Sequence, residues 1–166
     1  PLGLRLGSTE NAVLCTELLQ DLLARGLSIT ERVLCVIDGG KGLRKAVQDV
    51  LGTAAVIQRC QIHKARNLQA LLPKPRQAHV RATLRRAYRA ASADAARRQL
   101  KALGAWLEAN GHVDAAASLR EGLEETLTVL TLDLPTQAMA HRSERNLHLQ
   151  LAPKRVIFLR HSDVTE

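Results

Sequence analysis

Arg32 to Leu43, RVLCVIDGGKGL, joins an unbroken apolar run to an acid and a pair of glycines. Val33 to Ile37 contains no polar residue, so the alternation of a half-exposed strand is absent. A continuous run of this kind is buried on both faces, as in a parallel sheet. Asp38 follows at once and so stands at the carboxyl edge of that sheet, where open α/β sheets place their sites. Gly39 and Gly40 let the backbone come close to a ligand, and Lys41 and Arg44 could meet phosphate. As a phosphate-binding loop the stretch fails. Cys35 occupies the position of the required first glycine, and Gly42 replaces the Ser/Thr that should follow the lysine. Two readings of Asp38 remain: a carboxylate that ligates a metal, or an acid that caps the following helix.

Working outward, the elements alternate. Leu2 to Leu6 reads as the end of a strand. Ser8 and Thr9 offer N-caps to a helix over Glu10 to Arg25, with Val13, Leu14, Leu18, Leu22 and Leu23 on one face and Gly26 as its stop. A second helix is expected over Leu43 to Leu51, a short strand over Ala54 to Ile57, and a third helix from about His63 to the prolines at 73 and 75. Strand, helix, strand, helix, strand, helix makes an α/β layer. After Pro75 the pattern is helical only: a first helix carries Val80, Leu84, Ala87, Tyr88 and Ala91, a second runs Ala95 to Asn110, and a third Ala115 to Leu127. Beyond Pro135 periodicity fades into an irregular tail with one candidate strand, VIFL. The expected divisions are 1–72, 73–130 and 131–166.

Of the 166 residues 46% are apolar, but Trp106, Tyr88 and Phe158 are the only aromatics, so the core is Leu, Ala and Val. No apolar run reaches the 18 residues of a membrane span. The start has no apolar run after its charges, as a signal peptide would. Three widely spaced cysteines, Cys15, Cys35 and Cys60, make no disulfide framework, and a reducing cytoplasm is the expected compartment. The formal net charge is +8, and its distribution is uneven. Arg59 to Lys101 holds twelve Lys or Arg against Asp94 alone, whereas Ala102 to Gln137 holds six acids against Arg120. A positive block of this size is the footprint of a polyanion, most simply nucleic acid. Its bland alternative is a solvated helix face. Scarce aromatics favour phosphate contacts on duplex over stacking on single strands. The expected contacts are Lys41, Lys64, Arg66, Arg81, Arg85 and Arg89, with Arg86, Arg97 and Lys101 beside them.

Arg59 to Asn67, RCQIHKARN, places Cys60 and His63 two residues apart in this basic block. A structural zinc site needs four ligands, and no second pair at ligand spacing follows. A Cys–His nucleophile pair is poorly served by a strand-to-helix corner. A buried Cys60 beside a helix-initial His63 fits the residues better than either.

Three stretches, VLCVIDGGKGLRKAV, RCQIHKARNL and SLREGLEETLTVL, resemble in order and spacing the Mutator-type transposases of bacterial insertion sequences. The opening GLRLGSTENAVLCTELLQDLLARGL is similar to the family's segment before its second catalytic acid. The likeness covers roughly residues 1 to 135. It implies a ribonuclease H-like fold, here a partial sheet over 1–72 with an all-helical insertion over 73–130. The implied activity is cutting and joining DNA at transposon ends with a DDE carboxylate triad and two divalent ions, Mg²⁺ or Mn²⁺. Asp38 matches the second acid of the triad and so a metal ligand. Cys60 and His63 match the family's Cys-x-x-His signature, which lines the site. The family's first acid would lie upstream of this chain. Its last, a Glu in a Thr-Asn-x-x-Glu context, has only Glu144 to correspond to it, close to Pro135 and without the Thr-Asn. From about Gln137 the likeness is expected to stop. The resemblance thus implies a transposase fragment, catalytically incomplete by itself. Its expected partners are DNA and a second copy of the chain, with no membrane. The rival readings are a non-enzymatic DNA-binding module built on the helices from Arg76 to Lys101, and a hydrolase of another class using Asp38 with one metal.

Overall fold

Val33–Ile37 forms β1 and is buried along its whole length, as its unbroken apolar character requires. In the computed structural model, residues 12–29, 32–132 and 155–158 are described. The strand expected at Leu2–Leu6 lies outside them, as does Glu144. The chain divides into two compact units, residues 1–57 with 142–166, and residues 58–141.

In the first unit the order is α1 (Ala12–Ala24), β1, α2 (Lys41–Leu51), a 3₁₀ turn (Gly52–Ala54) and β2 (Ala55–Arg59), whose last two residues pass into the second unit. The strand β3 (Arg155–Phe158) completes the sheet, in the order β2-β1-β3. β1 and β3 are parallel, with Val33 opposite Arg155 and Val36 opposite Phe158. β1 is therefore central, which is why it has no polar side to show. Val33, Cys35 and Ile37 share one face by the two-residue period of a strand. They close a core with Leu19 of α1 and Leu43, Ala46, Val47 and Leu51 of α2. Burial pushes the Cys35 thiol up to about 11, so it stays protonated.

The second unit, over its described residues, is mostly helical. It holds α3 (Gln61–Ala70), α4 (Lys74–Ala87), α5 (Ala93–Ala109), α6 (Val113–Arg120), a 3₁₀ turn (Glu124–Leu127) and the short α7 (Thr128–Thr131). Pro75 stands in the first turn of α4, where its missing N–H is no loss. Ser92 caps α5, its Oγ accepting from the Ala95 N–H at 3.2 Å, so this helix begins ahead of the expected Ala95. Leu68, Val80, Leu84, Leu100, Leu107, Leu119 and Leu127 lie in one core. The single helix expected over Ala115–Leu127 is interrupted. α6 stops at Arg120, and Gly122 takes φ +64°, a left-handed conformation that few other residues adopt.

Candidate nucleic-acid interface and carboxylate site

Asp38 leaves the carboxyl end of β1 half-buried. Its Oδ1 accepts a hydrogen bond from the Gly40 N–H at 3.1 Å, across Gly39, whose φ of +110° folds the turn tightly enough for that contact. Gly40 itself is the N-cap of α2 and, having no side chain, gives the helix no capping bond. Asp38 therefore braces the turn before the helix. Lys41 and Arg44, in the first turn of α2, are exposed. Among the described residues no group of three or more His, Cys, Asp or Glu could hold a metal ion. Asp38 is a hard oxygen ligand of the kind Mg²⁺ takes, but the described residues do not build a two-metal site around it.

In the second unit Cys60 is the N-cap of α3 and makes no side-chain capping bond. His63 follows in the first turn, its Nδ1 buried and without a hydrogen-bond partner among the described residues. No third metal-ligating side chain joins this pair among the described residues.

The basic residues divide into two classes. Lys64, expected on a DNA-contacting surface, is buried. Its Nζ donates to the carbonyl oxygens of Ser118 and Glu121, the latter at 2.6 Å. It is a structural cation, because an ammonium can lie inside a protein only when its donors are used. Arg59 is likewise buried, with Nη1 donating to the Glu121 carbonyl at 3.2 Å and Nη2 to the Glu121 carboxylate at 3.4 Å. Arg97 is held by Glu124, Nε to Oε1 and Nη2 to Oε2 at 2.8 Å each, and by Asp94. The Arg97 guanidinium in turn holds the Glu124 carboxyl below the usual range.

Arg66, Arg81, Arg85 and Arg89 are exposed. Arg81 and Arg85 lie one turn apart on the side of α4 away from buried Val80, Thr83, Leu84 and Ala87. Arg89 continues the row just past the helix end. Among the described residues no carboxylate lies within ion-pairing distance of Arg81, Arg85 or Arg89. Arg86 is also exposed, and its Nε donates to Gln99 at 3.4 Å; Lys101 is exposed on α5.

Sequence reasoning missed one surface cluster. Trp106 of α5 meets His79 of α4 in a tilted ring contact, 4.7 Å between centroids and 47° between planes, and the Arg76 guanidinium sits 5.6 Å from the same ring centre. Its signal is faint, since the three residues come from two helices and only their pairing across the seam reveals them. It ties α4 to α5 by a cation–π contact.

A family model described as "Transposase, Mutator family" matches residues 2–151. The likeness therefore does not stop near Gln137, and Glu144 falls within it. The transposase for insertion sequence element IS6120 of Mycolicibacterium smegmatis is 35% identical over 121 residues, 73% of this chain and 36% of that protein. The transposase for insertion sequence element IST2 of Acidithiobacillus ferrooxidans is 31% identical over 135 residues, 81% of this chain and 44% of that protein. The transposase for insertion sequence element IS1081 of Mycobacterium tuberculosis is 39% identical over 87 residues, 52% of this chain. The chain thus spans less than half the length of these relatives. With the match extending over most of its residues, from the Asp38 turn through the Cys60–His63 corner and the helices beyond, the chain belongs to the Mutator family of transposases.

Proposed function

We propose that this chain supplies part of the DNA-processing core of an insertion-sequence transposase, and that it holds transposon-end DNA by its phosphates. The observation that carries the DNA contact is the row Arg81, Arg85 and Arg89, exposed and without an acid partner among the described residues. Lys41 and Arg66 add exposed charge on the two units. In this reading the sheet is part of a ribonuclease H-like core with residues 73–130 as its helical insertion, Asp38 is a catalytic carboxylate of the DDE class, and Cys60 and His63 line the site. Asp38 would be one ligand of Mg²⁺ or Mn²⁺, with the remaining ligands supplied from outside the described residues. Bound there, the metal would activate the attacking oxygen and stabilise the leaving one. Asp38's own part is to present a carboxylate whose turn is fixed by the Gly40 N–H.

The test of the DNA contact is salt dependence. Each phosphate neutralised contributes about 0.9 to the slope of log affinity against log salt on duplex DNA. Replacing Arg81, Arg85 and Arg89 with Ala lowers that slope by about 2.7 if all three meet phosphate. An unchanged slope places binding elsewhere.

A second reading, a non-enzymatic helical DNA-binding module, is favoured by the separate core of the second unit. The two readings part on chemistry. Joined products on DNA carrying the element's ends, made in Mg²⁺ or Mn²⁺ and lost in Asp38→Ala, belong to the transposase reading alone.

A further inference from the structure

Lys64 heads the fully buried side chains among the described residues by volume. A buried ammonium persists only if its donors are satisfied, and here they meet carbonyls at the end of α6. The last carbonyls of a helix have no partner within it and form its negative end. Lys64 therefore answers a need that α6 creates. Arg59 answers the same need from the end of β2, sharing the Glu121 carbonyl. Gln58 Nε2 donates to the Thr126 carbonyl at 3.0 Å and its Oε1 accepts from the Val129 N–H at 3.0 Å, while Gln61 Nε2 reaches the same Thr126 carbonyl at 2.8 Å. Gly122 completes the fit, since a Cβ there would lie 2.6 Å from Arg59 Nη1. Residues 58–64 thus act as a template against which the return from Ser118 to Val129 is laid. The same residues include the first turn of α3, where the Lys64 N–H bonds the Cys60 carbonyl at 3.0 Å.

We propose that Lys64 is a positioning residue: it pins the first turn of α3 onto the Ser118–Val129 return and so holds Cys60 and His63 in one orientation. The proposal rests on the reading of that pair as site-lining. Arg59 supports the same lock from the strand side, and Glu121 and Glu125 are the acids that face Lys64.

The experiment is peptide-resolved iodoacetamide labelling of the whole chain. Cys60 is half-buried; Cys35, wholly buried within β1, reports opening of the first unit, and the fluorescence of Trp106 in α5 reports opening of the second. Lys64→Met removes the donors while keeping the length. The expected result is a rise on the order of tenfold in Cys60 labelling with Cys35 labelling and Trp106 fluorescence unchanged, the signature of local opening. A rise at Cys60 with loss of the Trp106 signal, a parallel rise at both cysteines, or none at either, overturns the lock. Gly122→Ala moves the Arg59 guanidinium and strains the left-handed turn that carries the Glu121 carbonyl, and should raise Cys60 labelling in the same selective way; if Lys64→Met does not fold, this variant decides. Glu121→Gln keeps the backbone carbonyl and should label as wild type, whereas a rise there would assign the hold to the carboxylate and overturn the role given to the carbonyls. Labelling is then repeated with duplex DNA. Cys60 should be protected in wild type and less so in Lys64→Met. Protection absent from wild type overturns the site reading beneath the proposal, and equal protection in both proteins overturns the proposal alone.

Discussion

Lys64 stands one turn before Leu68 and two before Leu72, so helical spacing assigns it to the buried stripe of α3 while its charge assigns it to the surface. Spacing wins, because carbonyls at the end of α6 wait for a donor. That outcome was half legible: the period was present in the sequence, but the acceptors lie more than fifty residues on and no local pattern announces them. A titration follows. Burial, and then the Arg59 charge, lower the Lys64 pKa from 10.5 to about 8, against the pull of Glu121 and Glu125. Between those two values the unfolded chain binds a proton that the folded chain does not, so this group makes stability rise with pH across the window. Cys35 and Tyr88 act the other way. Burial raises both, to about 11 and about 12, so each loses stabilisation as pH climbs past its unfolded value. The difference between wild type and Lys64→Met cancels those two. That difference should grow with pH from 8 upward, by at most about 1.4 kcal/mol per unit, as read from denaturant midpoints. A difference independent of pH would mean that Lys64 titrates as an exposed lysine.

At the scale of elements, the ends of helices follow local chemistry closely. Ser92 closes the start of α5 through the Ala95 N–H, and Ser92→Ala should cost about 1 kcal/mol, within the usual 0.5–2 range for a lost cap. Urea unfolding reads this as a lower midpoint at constant slope. Because Ser92 is exposed, no cavity is created, and a loss well above that range would show that more than the cap was removed. The buried strand at Val33–Ile37, the glycine stop at Gly26 and the proline-led α4 were equally legible, since each is dictated within a few residues. The break after Arg120 was not. SLREGLEETL has helical periodicity and good helix formers on both sides of Gly122, and the bonds from Gln58, Arg59, Gln61 and Lys64 that hold the turned chain come from far along the sequence. Asp38 shows the limit from the other side. The sequence left it as a cap or a ligand, and its bond to the Gly40 N–H braces a turn, which fits a positioned ligand without requiring one.

For the molecule as a whole, the block of positive charge overstates what is available to a polyanion. Arg59, Lys64 and Arg97 each have an acid partner within the second unit, and the acids come from the segment after Ala102 or, for Asp94, from the same helix. The acidic stretch therefore serves in part to neutralise the basic one. What remains without an acid partner among the described residues is concentrated on α4. Arg97 offers the discriminating case, because its partners are themselves exposed, at 62% for the Glu124 side chain and 77% for Asp94. Exposed ion pairs stabilise little, typically 0–1 kcal/mol, so the double variant Asp94→Asn/Glu124→Gln should fold as wild type. It frees one guanidinium. If the DNA path crosses the start of α5 as well as α4, the salt slope for duplex binding should steepen by about 0.9. Should the slope instead stay where it was, while the alanine triplet at Arg81, Arg85 and Arg89 lowers it, the path is confined to α4. A double variant that unfolds would show that Arg97 and Glu124 bear a share of the fold that their exposure does not suggest.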